Sequence, residues 1–232
     1  MINAITDFQN RVKEVRSYFD FLERLNGNEN RLYIHTNGDP PTLFPIDDTL
    51  LKTFKATAFL LLYNLVESTI SNAIQSIYDE LKSKSISYMK VRDDLKKISL
   101  KNFSRMNMDS LHTKIFDLSV DIITIGFRRR SLFSGNVDAK FIRKTAREYG
   151  FSHQTTYIKT RNGESLFTIK NHRNDLAHGI KSFTEVGKEV GITQLGEVKD
   201  EVISYLEEIL SNVDKYVGDE DYLHTMYRSS HS

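Results

Sequence analysis

Residues 47–81, DDTLLKTFKATAFLLLYNLVESTISNAIQSIYDEL, decide the fold. Asp47 and Asp48 open the stretch, and either can act as an N-cap, because a carboxylate accepts from the unpaired amides of a first helical turn. Leu51, Phe54, Ala58, Leu62, Leu65 and Val66 follow mostly at steps of three and four, with no proline or glycine before Leu81. The pattern predicts one long helix at the centre of a bundle.

Upstream, the three prolines Pro40, Pro41 and Pro45 fall beside Asn37-Gly38-Asp39 and mark a linker. Before it, Phe8, Val12, Val15, Phe19 and Leu22 form one stripe of a helix expected from Ile5 to Leu25, ended by Gly27. Downstream there is no further proline. Helices are predicted from Tyr88 to Ile98, from Asp109 to Ile125, from Asn136 or Asp138 to Tyr149, and from Thr193 to Val217. Between Thr155 and Ile169 the dipeptide Asn162-Gly163 permits a hairpin, but a helix starting near Glu164 is preferred. The expected fold is all-α: an up-and-down bundle of four to five main helices with an additional N-terminal helix. Its expected divisions are residues 1–45 (N-terminal helix and Pro-rich linker), 46–223 (bundle) and 224–232 (flexible tail).

The 232 residues are 39% hydrophobic and 27% charged, the composition of a folded chain rather than a disordered one. With no cysteine, disulfides, thiolate nucleophiles and cysteine-based metal sites are excluded. The start of the chain lacks a basic segment followed by an apolar run, and Ala56 to Val66 is too short to span a bilayer, so a cytoplasmic protein without membrane contact is expected. Net charge is +1 but unevenly spread: residues 82–149 carry 16 Lys and Arg against 7 Asp and Glu, whereas 182–232 carry 4 against 11. Only the first region suits a polyanion.

An Arg followed by His at a spacing of five to seven residues occurs three times: Arg105 to His112, Arg147 to His153 and Arg173 to His178. With 14 Arg and 7 His, about 1.3 such matches arise by chance, so spacing alone selects none of them. Context selects the third, which lies in an amphipathic segment with Leu166, Ile169, Leu176 and Ile180, an Asn after the Arg and a Gly after the His.

The stretch Lys170-Asn171-His172-Arg173-Asn174-Asp175-Leu176-Ala177-His178-Gly179, followed by Ser182-Phe183-Thr184-Glu185-Val186-Gly187, resembles the signature of HEPN nucleases of a stand-alone bacterial branch. The resemblance includes Tyr63-Asn64-Leu65-Val66-Glu67-Ser68-Thr69 and Gly135-Asn136-Val137-Asp138-Ala139-Lys140, spanning residues 48–223. It implies a helical bundle, a homodimer whose two motifs face each other across a cleft, and metal-independent RNA cleavage. It also implies a toxin or antiviral-defence role, often with an antitoxin partner.

The chemistry has its own logic. RNA carries its nucleophile, the 2′-OH, so cleavage needs a proton acceptor, a proton donor and positive charge at the phosphate. Imidazole changes charge near neutrality, which suits His178 to acid or base work. Arg173 offers a fixed positive fork to phosphate oxygens. Five residues along a helix is about 140°, so Arg173 and His178 do not share a face, whereas Asn174 and His178 lie about 40° apart. A second protomer would complete such a site. Glu67 is a weaker catalytic candidate: it can orient Arg173 or His178, or form a core salt bridge. The structural alternative pairs Arg173 with an acid such as Glu67 and makes His178 a helix cap before Gly179.

Lys140, Arg143, Lys144 and Arg147 form a basic stripe with Arg128, Arg129 and Arg130 upstream, either an RNA-backbone track or a solvated face. His153, Tyr149 and Tyr157 can stack on bases, although packing is favoured. His172 can titrate beside the motif, but exposure without a role is expected. No cofactor or metal is expected, since no phosphate loop, metal-ligand spacing or nucleophile elbow is present. The function that follows is a metal-independent endoribonuclease; the competing class is a non-catalytic RNA- or nucleotide-binding module of the same fold.

Overall fold

A computed structural model describes residues 1–25, 31–35, 40, 42–104, 127 and 135–228. Helix α1 (Ile2–Arg24) leads to a two-stranded antiparallel ribbon, β1 (Arg31–Ile34) and β2 (Thr42–Pro45), in which Arg31 lies opposite Pro45 and Ile34 opposite Thr42. Then follow α2 (Asp48–Ser83), α3 (Asp93–Ser104), α4 (Ala139–Tyr149), the single turn α5 (Tyr157–Thr160), α6 (Ser165–Ala177), α7 (Phe183–Lys188) and α8 (Ile192–Gly218). The all-α bundle expected from the sequence is therefore the fold.

Helix α2 is central because it is buried on several sides: Phe59, Leu62, Leu65, Val66, Ile70, Ile74 and Ile77 are each at most 1% exposed. Helices α1, α6, α7 and α8 all pack against it. The Asp47 carboxylate starts the helix by accepting from the Leu50 amide at 2.7 Å. Its far end closes by two reverse bonds, Ser85 N–H to Lys82 C=O and Ile86 N–H to Leu81 C=O, with Ser85 at φ 48°.

Helix α1 is not peripheral. Its stripe of Phe8, Val12, Val15, Phe19 and Leu22 is buried in the same core, against α2 and α8. At the other end Tyr222 and Leu223 are buried, and Leu223 bridges to Val91. That bridge corrects the third helix: Val91 is extended, so α3 starts at Asp93, with Asp93 and Asp94 in its first turn, rather than at Tyr88. The ribbon is a second correction, since proline is tolerated at the end of an edge strand. The helix expected from Asp109 to Ile125 lies outside the described residues.

Between Thr155 and Ile169 the chain is helical. Asn162, in a short 3₁₀ turn over Arg161–Gly163, takes φ 55°, and α6 follows at once. Glu201 of α8, itself buried, fixes this start by accepting from the Ser165 amide at 2.9 Å and the Ser165 hydroxyl at 2.6 Å. A carboxylate there also faces the positive end of the helix.

Candidate active site

Helix α6 carries the Arg173–His178 motif at its C-terminal end. It stops with a full reverse turn: the Gly179 amide donates to Leu176 C=O at 3.3 Å and the Ile180 amide to Asp175 C=O at 2.8 Å, with Gly179 at φ 66°. His178 is the C-cap residue, and its side chain is exposed, with no hydrogen-bond partner among the described residues. It therefore stops the helix through its backbone while its imidazole stays free.

Arg173 points the other way, as the helical spacing requires. Its guanidinium carbon lies over the Tyr63 ring, 4.7 Å from the centroid, and its Nη1 donates to Asn174 Oδ1 at 3.0 Å. Arg173 has no carboxylate partner among the described residues, and Glu67, half-buried one turn beyond Tyr63, does not pair with it. Glu67 acts instead on Tyr63. Burial pushes the Tyr63 hydroxyl up from its ordinary value, donation from Val137 N–H opposes this, and the Glu67 charge adds to the rise.

The segment 135–138 is laid along this arrangement residue by residue. Gly135 approaches Arg173 so closely that an added Cβ would sit 2.9 Å from Nη1. Asn136 Oδ1 accepts from Asn174 Nδ2 at 3.1 Å, and the Val137 amide donates to the Tyr63 hydroxyl at 3.2 Å. The Asp138 carboxylate accepts from Lys170 Nζ at 2.6 Å while capping α4 through the Phe141 amide. Burial would raise the Asp138 carboxyl, but these donors outweigh it and hold it below its ordinary value. Three stretches far apart in sequence thus meet around one arginine.

His172 differs from expectation. Its ring packs on Phe59 at 4.4 Å, and only 14% of its side chain is exposed. Nδ1 is buried without a hydrogen-bond partner among the described residues, since Glu189 at 4.0 Å is near enough to attract a charge but too far to bond. Burial lowers its tendency to hold a proton, against the pull of Glu189.

Of the basic stripe, Lys140, Lys144 and Arg147 are exposed and Arg143 donates to Asn162 C=O at 3.1 Å. Arg128, Arg129 and Arg130 lie outside the described residues. Tyr149 is buried, as packing predicts, but Tyr157 is 63% exposed. Among the described residues no three His, Asp or Glu side chains converge as metal ligands, and no described helix is long and apolar enough to cross a membrane.

A family model described as MAE_28990-like HEPN matches residues 3–222. The chain belongs to this HEPN family. The match takes in α1, in keeping with the burial of that helix in the common core of the HEPN bundle. No curated protein and no solved structure matches.

Proposed function

We propose that this HEPN protein is a metal-independent endoribonuclease in which Arg173 and Asn174 engage the scissile phosphate and His178 moves a proton. The observation that carries the proposal is a cation that, among the described residues, is held by uncharged groups alone, the Tyr63 ring and the Asn174 amide, on the helix that presents an exposed imidazole. An anion at Arg173 would meet a charge that no carboxylate of the described residues neutralises.

The 2′-OH gives its proton to a base and its oxygen attacks phosphorus. The bond from phosphorus to the 5′ oxygen breaks, and that oxygen takes a proton from an acid, leaving a 2′,3′-cyclic phosphate and a 5′-hydroxyl. One imidazole fills one of these roles. A homodimer with the two motifs facing one cleft would supply the other, which makes dimerisation part of catalysis. Glu67 is given a supporting place through Tyr63 rather than contact with RNA. The setting proposed is cytoplasmic, as a toxin or antiviral-defence effector restrained by an antitoxin or similar partner.

Cleavage of cellular RNA in the presence of chelator tests the proposal. His178→Ala is expected to lower the rate by about 10²- to 10⁴-fold. Equal rates, or wild-type activity abolished by chelator, would overturn it. The packing role of Arg173 against Tyr63 favours one competitor, a binding module that holds RNA without cutting it. Full-length RNA recovered from a wild-type complex would establish that reading.

A further inference from the structure

Toward the N-terminal end of α6 from the motif, a cleft of about 830 Å³ opens between the first turns of α4 and the segment from Tyr157 to Lys170. Its floor is tight: a Cβ at Gly163 would lie 3.1 Å from Ala139 Cβ. Its rim combines aromatic rings, which packing alone would bury, with cations that form no ion pair among the described residues. Phe167 is 59% and Tyr157 63% exposed. Lys140 and Arg161 are exposed and form no ion pair among the described residues, while Lys170 is consumed by Asp138 at 2.6 Å and lies 4.8 Å over the Phe167 ring. Glu164 is the remaining carboxylate of the lining.

The position of Phe167 links cleft and motif. Phe167, Asn171, Asn174 and His178 fall within about 60° of one another around α6, and eleven residues at 1.5 Å each place Phe167 about 16 Å along the axis from His178. A strand stacked on Phe167 would therefore run along one stripe, exposed at Phe167 and His178 and half-buried at Asn171 and Asn174, to the imidazole.

We infer that this cleft is a track for single-stranded RNA, with Phe167 and Tyr157 as stacking platforms and Lys140 and Arg161 on the phosphates. The inference rests on the nuclease reading for its direction toward His178. A duplex fits it poorly, because paired bases present no face to the two rings, whereas unpaired bases stack on aromatics irrespective of sequence. The cleft shares Lys140 and Arg143 with the basic stripe of α4 but adds two rings, so it offers stacking where the rest of that stripe offers charge alone.

Anisotropy titration of a labelled oligouridylate and a matching duplex, with protein carrying His178→Ala so that the strand stays intact, tests the track. The single strand is expected to bind more tightly than the duplex. Phe167→Ala and Tyr157→Ala are each expected to weaken it by about 5- to 100-fold, with Phe167→Trp restoring affinity. Arg161→Ala should flatten the logarithmic salt dependence by about one unit. Unchanged affinity in both aromatic variants, or equal binding of the duplex, would overturn the inference. If His178→Ala abolishes cleavage but Phe167→Ala alters neither affinity nor KM, the track fails and the nuclease stands. If Phe167→Ala weakens binding but wild-type protein never cleaves, the nuclease fails and the track stands.

Discussion

Arg173 rests on the ring of Tyr63, 4.7 Å from its centroid, and the same tyrosine uses its hydroxyl to hold the Val137 amide at 3.2 Å. One buried side chain of α2 thereby positions both the motif arginine and the segment that borders it. The two duties are separable, because one uses the ring face and the other the hydroxyl.

Tyr63→Phe keeps the ring and removes the acceptor. Val137 is 1% exposed, so its amide would be left unpaired, and the variant is expected to lose about 1–3 kcal/mol of stability in urea denaturation. Cleavage per folded molecule should be retained. Tyr63→Leu removes the ring as well and is expected to lose both. Wild-type stability in Tyr63→Phe would show that the hydroxyl bond has no such weight.

Glu201 sits on α8 but governs the start of α6 through Ser165. Glu201→Ala strands a backbone amide and a hydroxyl in a partly buried place, and a loss of about 1–3 kcal/mol is expected, with Glu201→Gln retaining an acceptor and losing less. Amide exchange in the first turn of α6 is the readout. Protection unaltered by Glu201→Ala would refute the link.

The helices were legible in the sequence where periodicity and capping agreed. Asp47 and Asp138 start α2 and α4 as acidic N-caps, and the chain near Glu164 is helical, as its apolar spacing predicts, although Asn162-Gly163 is a strong turn signal. Asn162 does take a left-handed conformation, but inside a helical turn. The start of α3 was misplaced because Val91 pairs with Leu223, a contact 132 positions away that no local pattern encodes. Helix α7 was missed although Ser182 and Glu185 spell out a capping box. At the site, the role of Gly135 to Asp138 as a brace for α6 depends on tertiary contacts, and the burial of His172 depends on Phe59; neither can be read from spacing.

Gly187 of α7 meets α2 through its backbone: a Cβ there would lie 1.9 Å from the Lys52 carbonyl oxygen. A main-chain atom cannot move aside as a flexible side chain does. Gly187→Ala is expected to cost about 1–3 kcal/mol, whereas Gly218→Ala, with open space around it, should be neutral or stabilising. Paired thermal melts distinguish them, and an equal Tm shift would contradict the close approach.

Stability should depend on pH through His172. Its folded value is depressed below the ordinary 6.5, chiefly by burial. In the window between the two values the unfolded chain binds more protons, so stability rises with pH there. The contribution is complete above 6.5 and lost as pH falls through the depressed value. His172→Phe, which keeps a ring on Phe59, should flatten this part of the profile. The same slope in both proteins would assign it to another group.

Gly135 offers the most direct test of how the arginine is held. At φ 76° it occupies a region that disfavours side chains, and the space a Cβ would fill ends 2.9 Å away at Arg173 Nη1. Gly135→Ala thus combines two effects, backbone strain of about 1–2 kcal/mol and displacement of the guanidinium. Gly135→Asn separates them, because asparagine tolerates positive φ but still carries the Cβ. If Arg173 acts at the phosphate, both variants should lose cleavage by about 10- to 100-fold, since a misplacement of this size is costly to catalysis. Only the alanine should lose much stability. Full activity in folded Gly135→Asn would mean that the position of the guanidinium does not limit the reaction, and Arg173 would then be a packing residue of the bundle.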